Sequence, residues 1–510
     1  MAEPSAAYFQ LVAALLSMNL VELIREPVRR VPERTALRVA GQEMTYGQVG
    51  EAVERCAAHL CQRGVGPGDS VALLDDCSPL LLAAILGAAR IGAAAVPIHV
   101  ELQLEELAEV LRGSDCGSLG IAGEPYREKL SAALGRPALG VGDLLDTRPE
   151  LETPAVCGDL DQLCVKLLTS GTTGLPKPIG FSHRTFTPRM SGFAGAFDAD
   201  APYARSLLCV PGVHIGGLGG LLVGLAGGNT LVIMQRFKAG EWLQQVERQR
   251  INMVFLVPTM LRRILDHPDF DATDLSSLRA VSYGAAAAPV EMVEEMIRRF
   301  PDGVAFSNVY GQTETTGAIT SFGPRDHVLD DAGHLRRAGS VGKLVPGVEH
   351  RLVDPESQRD VPPGEVGELW VRSAFNAVAG WNRTGDLIRI DEQGYLYPVG
   401  RLSDTINRGG EKFGPVEIES ALRRHPGVAD VAVAGIADPE LGERVGAAIV
   451  RVPGRDLTRN ELIDHCRKHL ARFKLPEQIV FVREIPHTAL WKVSRKRIAE
   501  LIVGAHDPSA

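Results

Sequence analysis

The chain has no tightly spaced cysteine pair, no long apolar run, no basic excess and no low-complexity tract, and each absence removes a class of function. Its 8 Cys lie far apart, and the nearest pairs, Cys56 with Cys61 and Cys157 with Cys164, lack the close spacing and flanking His of a zinc site. They read as reduced, mostly buried thiols. The longest apolar runs, such as Leu80 to Leu86 and Leu218 to Leu225, end at Gly or charge well short of the ~20 residues of a membrane span. The stretch Leu11 to Leu16 has no basic residues before it, which argues against a secretory leader and makes the cytoplasm the expected compartment. A formal charge of −9 and a pI near 5.9 give no electrostatic reason to expect nucleic acid or an anionic membrane surface as partner.

What is present is ordinary globular sequence, rich in turns. With 510 residues, 45% hydrophobic and 23% charged, the chain exceeds what one core organises, so two or more domains are expected. Patterning begins at Met18, and the residues before it read as an extension or an upstream start. From Tyr46 onward helical periods alternate with short apolar runs: Val53, Cys56, Ala57 and Leu60 share a face, Ser70 to Leu74 reads as a strand, Leu80 to Gly92 as a helix and Ala93 to Val100 as a strand. The alternation returns at Met253 to Val257, Thr259 to Asp266, Leu278 to Tyr283 and Val290 to Phe300. Parallel sheet covered by helices follows from it. Between about Gly339 and Val399 the texture changes to short strands and turns, at Gly364 to Arg372 and Leu387 to Tyr397, which suggests a β-rich subdomain. After Arg401 comes a βαβ-like unit: a helix at Pro415 to Arg424, strands at Val428 to Ala434 and Gly446 to Val452, a helix at Thr458 to Leu470 and a strand at Gln478 to Val482.

The segment Thr169-Ser170-Gly171-Thr172-Thr173-Gly174-Leu175-Pro176-Lys177 follows the strand-like run Leu163 to Leu168. Glycines let backbone N–H groups approach an anion, hydroxyls donate further hydrogen bonds and Lys177 adds a mobile charge, so the loop suits phosphate. Lys177 is followed by Pro178 rather than Ser or Thr, which separates it from Walker A and from an ordinary kinase or ATPase. For the loop alone, a plain Gly/Ser/Thr surface turn is the alternative.

Downstream stand Tyr310-Gly311-Gln312-Thr313-Glu314, Arg383-Thr384-Gly385-Asp386, Gly400-Arg401, Gly409-Gly410-Glu411 and Lys492-Val493-Ser494-Arg495. Singly, Glu314 could be a solvated helix residue, Asp386 a turn former and Lys492 one basic residue among several. In this order and spacing the segments resemble the adenylate-forming superfamily of acyl-CoA synthetases, adenylation domains and luciferases, from about Met18 to about Ile502. The resemblance implies an α/β fold with a large N-terminal domain, 1–402, of βα subdomains plus a β-rich subdomain. A small mobile α+β C-terminal domain, 403–510, would follow.

It also implies ATP, Mg²⁺ and CoA as cofactors and a carboxylic acid as substrate. Thr169, Ser170, Gly171, Thr172, Thr173, Gly174 and Lys177 would hold phosphates. Gly284, Ala285, Ala286, Tyr310, Gly311 and Thr313 would line the nucleotide, Asp386 would take both ribose hydroxyls with Arg401 nearby, and Glu314 would bind Mg²⁺, as a carboxylate beside phosphate oxygens should. Lys492 would bridge the acid and the α-phosphate, because joining two anions requires charge neutralisation first. Ser403 takes the hinge position, and Gly409 and Gly410 line the thiol tunnel once the small domain has rotated. The sequence departs from the pattern in Ser403, where Asp or Lys is more usual, in Trp491 and Pro178, each in place of Gly, and in a short stretch between Glu368 and Arg383.

For the acid, the resemblance makes Pro211-Gly212-Val213-His214-Ile215-Gly216-Gly217 the border of the acyl pocket, with Gly216, Gly284, Asn308 and Gly317 beside it. A satisfied histidine under a glycine turn is the plain alternative for His214. No Asp stands in this segment to pair an α-amino group, so an amino-acid substrate is disfavoured. The small residues Gly216, Gly217, Gly219, Gly220 and Ala285 to Ala288 are expected to leave volume for an apolar, bulky acid, whether aryl, polycyclic or medium to long chain. Two alternatives stay open: an enzyme that loads a carrier-protein phosphopantetheine, and a catalytically inactive nucleotide-binding partner protein.

Overall fold

Two short apolar runs, Ser70–Leu74 (β1) and Ala94–Ile98 (β2), are buried at every position and pair in parallel. Strands covered on both faces need helices above and below them. The intervening helix Pro79–Arg90 (α1) supplies one: Ser78 caps it by accepting from the Leu81 amide at 3.3 Å, and Pro79 opens its first turn. It crosses helix Tyr46–Gln62 so closely that a Cβ at Gly87 would lie 2.8 Å from the Cys56 Cβ. The computed structural model describes residues 18–76, 78–113, 115, 119–145, 154–170, 176–194, 204–486 and 493–506.

Beyond β1 and β2 the six-stranded sheet continues into Leu163–Ser170 (β3) and ends at Pro176–Ser182 (β4), antiparallel to β3. Pro178 therefore falls in an edge strand, where its missing N–H breaks no central ladder. Helix His183–Ala194 follows. Nδ1 of His183 accepts from the Leu20 amide at 3.0 Å, pinning the N-terminal turn, and burial drives the imidazole pKa down to about 4, so it stays neutral.

A nine-stranded sheet has a parallel centre of Arg205–Leu208 (β5), Met253–Leu256 (β6), Ala280–Gly284 (β7) and Ala305–Gln312 (β8), turned back by antiparallel Gly317–Phe322 (β9). Helix Ile215–Ala226 (α2) follows β5. The β-rich texture resolves into a four-stranded antiparallel sheet that includes Val366–Arg372 (β10), Asn382–Ile390 (β11) and Leu396–Arg401 (β12). The run expected from Leu387 to Tyr397 is a hairpin, because Asp391 accepts from the amides of Gln393 and Tyr395 and turns the chain.

The C-terminal part is a five-stranded sheet of Ile406–Arg408 (β13), Glu411–Phe413 (β14), Val428–Asp438 (β15), Gly442–Arg451 (β16) and Gln478–Val482 (β17). Alternate residues face opposite ways. Val431 and Val433 pack with helices Pro415–Arg423 (α3) and Arg459–Cys466 (α4), whereas Ala432, Ala434 and Ile436 pack with Arg495–His506 (α5). β15 runs past its expected end at Ala434, since Gly435 is no breaker: a Cβ there would stand 2.6 Å from Glu443 Oε1. The βαβ unit is β16–α4–β17, with β16 and β17 parallel. The chain is a mixed α/β protein, a large N-terminal part followed by a small C-terminal one, as the resemblance implied. No helix among the described residues is long and apolar enough to cross a membrane.

Candidate active site

In open α/β sheets ligands bind beyond the carboxyl ends of parallel strands. Most candidate residues of the N-terminal part stand there: Thr169 and Ser170 close β3, His214 follows β5, Gly284 ends β7, and Tyr310 to Gln312 end β8.

The densest arrangement surrounds Asp386 on β11. Its Oδ1 accepts from Arg401 Nε at 2.6 Å, and its Oδ2 accepts from Tyr310 Oη at 2.6 Å and Gln312 Nε2 at 2.8 Å. Burial opposes the Arg401 charge, but its bond to Asp386 outweighs this and holds the guanidinium above its ordinary range. Burial, with the neighbouring carboxylate, pushes the Tyr310 phenol well above its usual value, so it remains a donor. Two backbones thus meet at one carboxylate: the end of β8, and the β11–β12 pair in which Asp386 faces Arg401.

After Gln312 the chain turns through Thr313 to Thr316, with Thr316 at φ 56° and Gly317 at φ 94°. Thr315 Oγ1 accepts from the Gln312 amide at 2.9 Å. Gly311 is required here, because a Cβ on it would lie 2.0 Å from Gly317 O. The short stretch after Glu368 packs back on this turn: the Ala377 amide donates to Glu314 O at 3.0 Å and Thr316 Oγ1 donates to Phe375 O at 2.5 Å. The Glu314 carboxylate is half-buried and has no hydrogen-bond or ion-pair partner among the described residues. A hard, oxygen-ligated cation such as Mg²⁺ suits such a group.

At the other end, His214 precedes α2, and its ring centroid lies 6.0 Å from that of His99, the residue after β2. His99 Nδ1 accepts from the Glu101 amide at 3.3 Å, which leaves Nε2 to carry the proton. Burial lowers the His99 pKa despite the opposing charges of Glu101 and Asp76. The glycines do less to open space than their size suggests. A Cβ at Gly217 would meet Pro211 O at 2.0 Å, one at Gly284 would meet Val309 O at 2.2 Å, and one at Gly216 would touch the Phe255 ring at 3.2 Å. Gly217 and Gly284 serve close backbone approach, and Gly216 makes room for the Phe255 ring. Asn308 Nδ2 donates to Tyr283 O at 3.3 Å, and Ala285 stands exposed at φ 67°, a left-handed conformation that strains a residue with a Cβ. Ala286 is half-buried beside it.

Thr169 and the exposed Lys177 pair across the β3–β4 hairpin, Thr169 Oγ1 donating to Lys177 O at 3.3 Å. Gly171, Thr172, Thr173 and Gly174 lie outside the described residues, as do Trp491 and Lys492. Past Lys492, Arg495 donates to Val433 O at 2.6 Å and pairs with Glu419 and with Asp404, next to Ser403. Ser403 is exposed, its hydroxyl donating to Asp404 at 3.0 Å. Gly409 and Gly410, at φ 60° and 92°, form the tight turn of the β13–β14 hairpin.

Sequence reasoning passed over three side chains. Gln312 was read only as part of a motif, though its amide touches Asp386. His99 carried one signal, its place just beyond an apolar parallel strand. Arg189 carried none: it is a buried guanidinium that donates to Ala318 O and lies 6.0 Å from the Phe375 ring, its pKa lowered to about 10 by burial.

Against known proteins, residues 24–380 match the model of the AMP-binding enzyme family and residues 417–492 that of the AMP-binding enzyme C-terminal domain. A feruloyl-CoA synthase of Amycolatopsis is 33% identical, over 92% of this chain and 97% of its own length. A fatty acid–[acyl-carrier-protein] ligase of Streptomyces coeruleorubidus is 31% identical, over 95% and 98%. Among solved structures, an amide bond synthetase from Marinactinospora thermotolerans superposes with a TM-score of 0.84 at 27% identity, over 94% of this chain and 99% of that one. With the site at the carboxyl ends of its strands and both family models matched, the chain belongs to the AMP-binding enzymes, the adenylate-forming family.

Proposed function

We propose that this protein activates a carboxylic acid with ATP and passes the acyl group to the thiol of CoA. In the first step a carboxylate oxygen attacks the α-phosphorus, the bond from that phosphorus to the bridging oxygen of the β-phosphate breaks, and pyrophosphate leaves with the electron pair. In the second, the thiolate sulfur attacks the acyl carbon and AMP leaves. Asp386, held by Tyr310, Gln312 and Arg401, takes the ribose, and this carboxylate between two backbones is the observation that carries the reading. Thr169, Ser170, Gly171 to Gly174 and Lys177 hold the phosphates, and Lys492 bridges the two anions as a compact, movable cation. Glu314 fits Mg²⁺, which when bound supplies positive charge against the phosphates.

The small domain, 403–510, pivots at Ser403 so that the Lys492 segment withdraws and the Gly409–Gly410 turn reaches the thiol path. The acid is apolar and bulky, aryl or fatty, bordered by His214, Gly216, Gly284, Asn308 and Gly317; relatives named for feruloyl-CoA and fatty-acid ligation support both classes. The protein acts in the cytoplasm. A second reading, favoured by the carrier-protein ligase among its relatives, keeps the first step and delivers the acyl group to a carrier-protein phosphopantetheine.

The test is pyrophosphate release with a panel of aryl, medium- and long-chain, short-chain and amino acids, followed by thioester formation with CoA against a holo carrier protein. Turnover with aryl or longer-chain acids and with CoA is expected. Preference for acetate or an amino acid would overturn the acid assignment, and ATP binding without pyrophosphate release from any acid would make the chain an inactive nucleotide-binding partner.

A further inference from the structure

The Asp386 carboxylate offers about four acceptor sites, and three are taken: one on Oδ1 by Arg401, two on Oδ2 by Tyr310 and Gln312. A ribose presenting two vicinal hydroxyls needs two. One of the three donors must therefore give way, and they differ in how firmly they are held. The Arg401 side chain is half exposed, and the Tyr310 hydroxyl donates its one hydrogen to this carboxylate alone. The Gln312 amide nitrogen uses one hydrogen on Asp386 Oδ2 at 2.8 Å and the other on Thr384 O at 2.7 Å, while the Gln312 main-chain amide is fixed by Thr315 Oγ1. Thr384 is itself anchored, its hydroxyl donating to Leu369 O at 2.7 Å and accepting from the Asp386 amide at 3.1 Å. Gln312 thus ties β8 to β11 and to the carboxylate at once.

We propose that Gln312 is a positioning residue for the sugar: it fixes the plane of the Asp386 carboxylate so that the sites given up by Tyr310 or Arg401 meet the two ribose hydroxyls. It touches neither the acid nor the transferred phosphorus. This rests on the reading of Asp386 as the ribose acceptor, so the test must separate the two. An amide bridging two strands also has a purely structural role open to it, and sugar discrimination is the readout that role would not move.

The experiment measures binding of ATP and of 2′-deoxy-ATP to the full chain by calorimetry, without acid, alongside thermal unfolding and pyrophosphate release. Wild type is expected to prefer ATP. Gln312→Leu keeps the bulk and removes the donor, and should weaken ATP binding ~5–10-fold, about one ordinary net hydrogen bond, while binding 2′-deoxy-ATP nearly as before, so that the preference shrinks. Gln312→Glu, which sets a second carboxylate against Oδ2, should weaken ATP more than 2′-deoxy-ATP, so that the preference shrinks here too, and should recover as pH falls toward the carboxylate range. It also serves if the Leu variant folds poorly. An ATP preference unchanged in both variants, with unfolding temperatures intact, overturns the role of Gln312 and leaves Asp386 as acceptor. No preference in wild type overturns Asp386 as ribose acceptor and Gln312 with it, even if pyrophosphate is still released. A preference that shrinks only as far as the unfolding temperature falls also overturns it.

Discussion

The proposed nucleotide end of the site and its proposed acyl end are built on different physics. At the first, Tyr310, Gln312 and Arg401 converge on Asp386 within 2.8 Å, so position is fixed by directional, charge-assisted bonds. At the second, His99 and His214 lie 6.0 Å apart before a glycine-rich helix start against which Phe255 packs, and position is fixed by shape and close approach. A charged network accepts one ligand geometry. A wall of imidazoles and rings tolerates retailoring at small cost. Changes at the first end should therefore damage the reaction, and changes at the second should redirect it.

The largest effect is expected outside both ends, at Lys492. Lys492→Ala should slow pyrophosphate release by ~10³-fold, the scale of losing a group that meets developing charge, while thioester formation from a supplied acyl-adenylate changes little. Equal loss in both steps would remove Lys492 from the adenylating machinery. Asp386→Asn comes next. It replaces a carboxylate that accepts three bonds by an amide and leaves Arg401 without its counter-ion, so the KM for ATP should rise ~10–100-fold with the KM for the acid nearly constant. Parallel rises in both constants would mean that the network supports the fold rather than the sugar.

How much of each end was legible follows the same division. Asp386, Tyr310 and Glu314 became candidates because their segments resemble the family's in order and spacing, and strands such as Ser70–Leu74 were legible because full burial leaves a continuous apolar run. Gln312 stood inside a recognised motif, yet its bond to Asp386 spans 74 residues of chain and depends on how β8 lies against β11, which no local pattern encodes. The acyl end was harder. Gly217 and Gly284 look like space in a sequence, but each lacks a Cβ because backbone oxygen already fills the place. His99 comes to His214 only because strands of two separate sheets end near each other. The strand expected to end at Ala434 runs on through Gly435 to Asp438, where Glu443 fills the place a Cβ would take.

At the acyl end, His214→Ala should lower turnover of the best acid ~5–10-fold and shift the ranking of acids, with the KM for ATP unchanged. A change in the ATP constant instead would move His214 out of the acyl wall.

The smallest effect is expected at His99, and it is a matter of pH. Burial lowers its pKa below the ordinary 6.5, against the pull of Glu101 and Asp76 and with help from Lys129, and His214 faces it from the second sheet. The folded protein therefore holds the ring neutral at pH 7, with Nε2–H as the donor, and takes up a proton there only at lower pH than the unfolded chain does. Stability from this group is complete above ~6.5 and is lost as pH falls through the folded value. Turnover of an apolar acid follows the folded value alone: it should stay flat from about pH 8 through 6.5, with the acid KM rising only as pH falls through the lowered His99 pKa and a cation forms at an apolar wall. His99→Phe should abolish that acid limb and favour acids without a hydrogen-bonding substituent by a few-fold, about one net hydrogen bond. A limb that survives in His99→Phe and vanishes in His214→Ala would assign the titration to His214 and leave the nucleotide end as it stands.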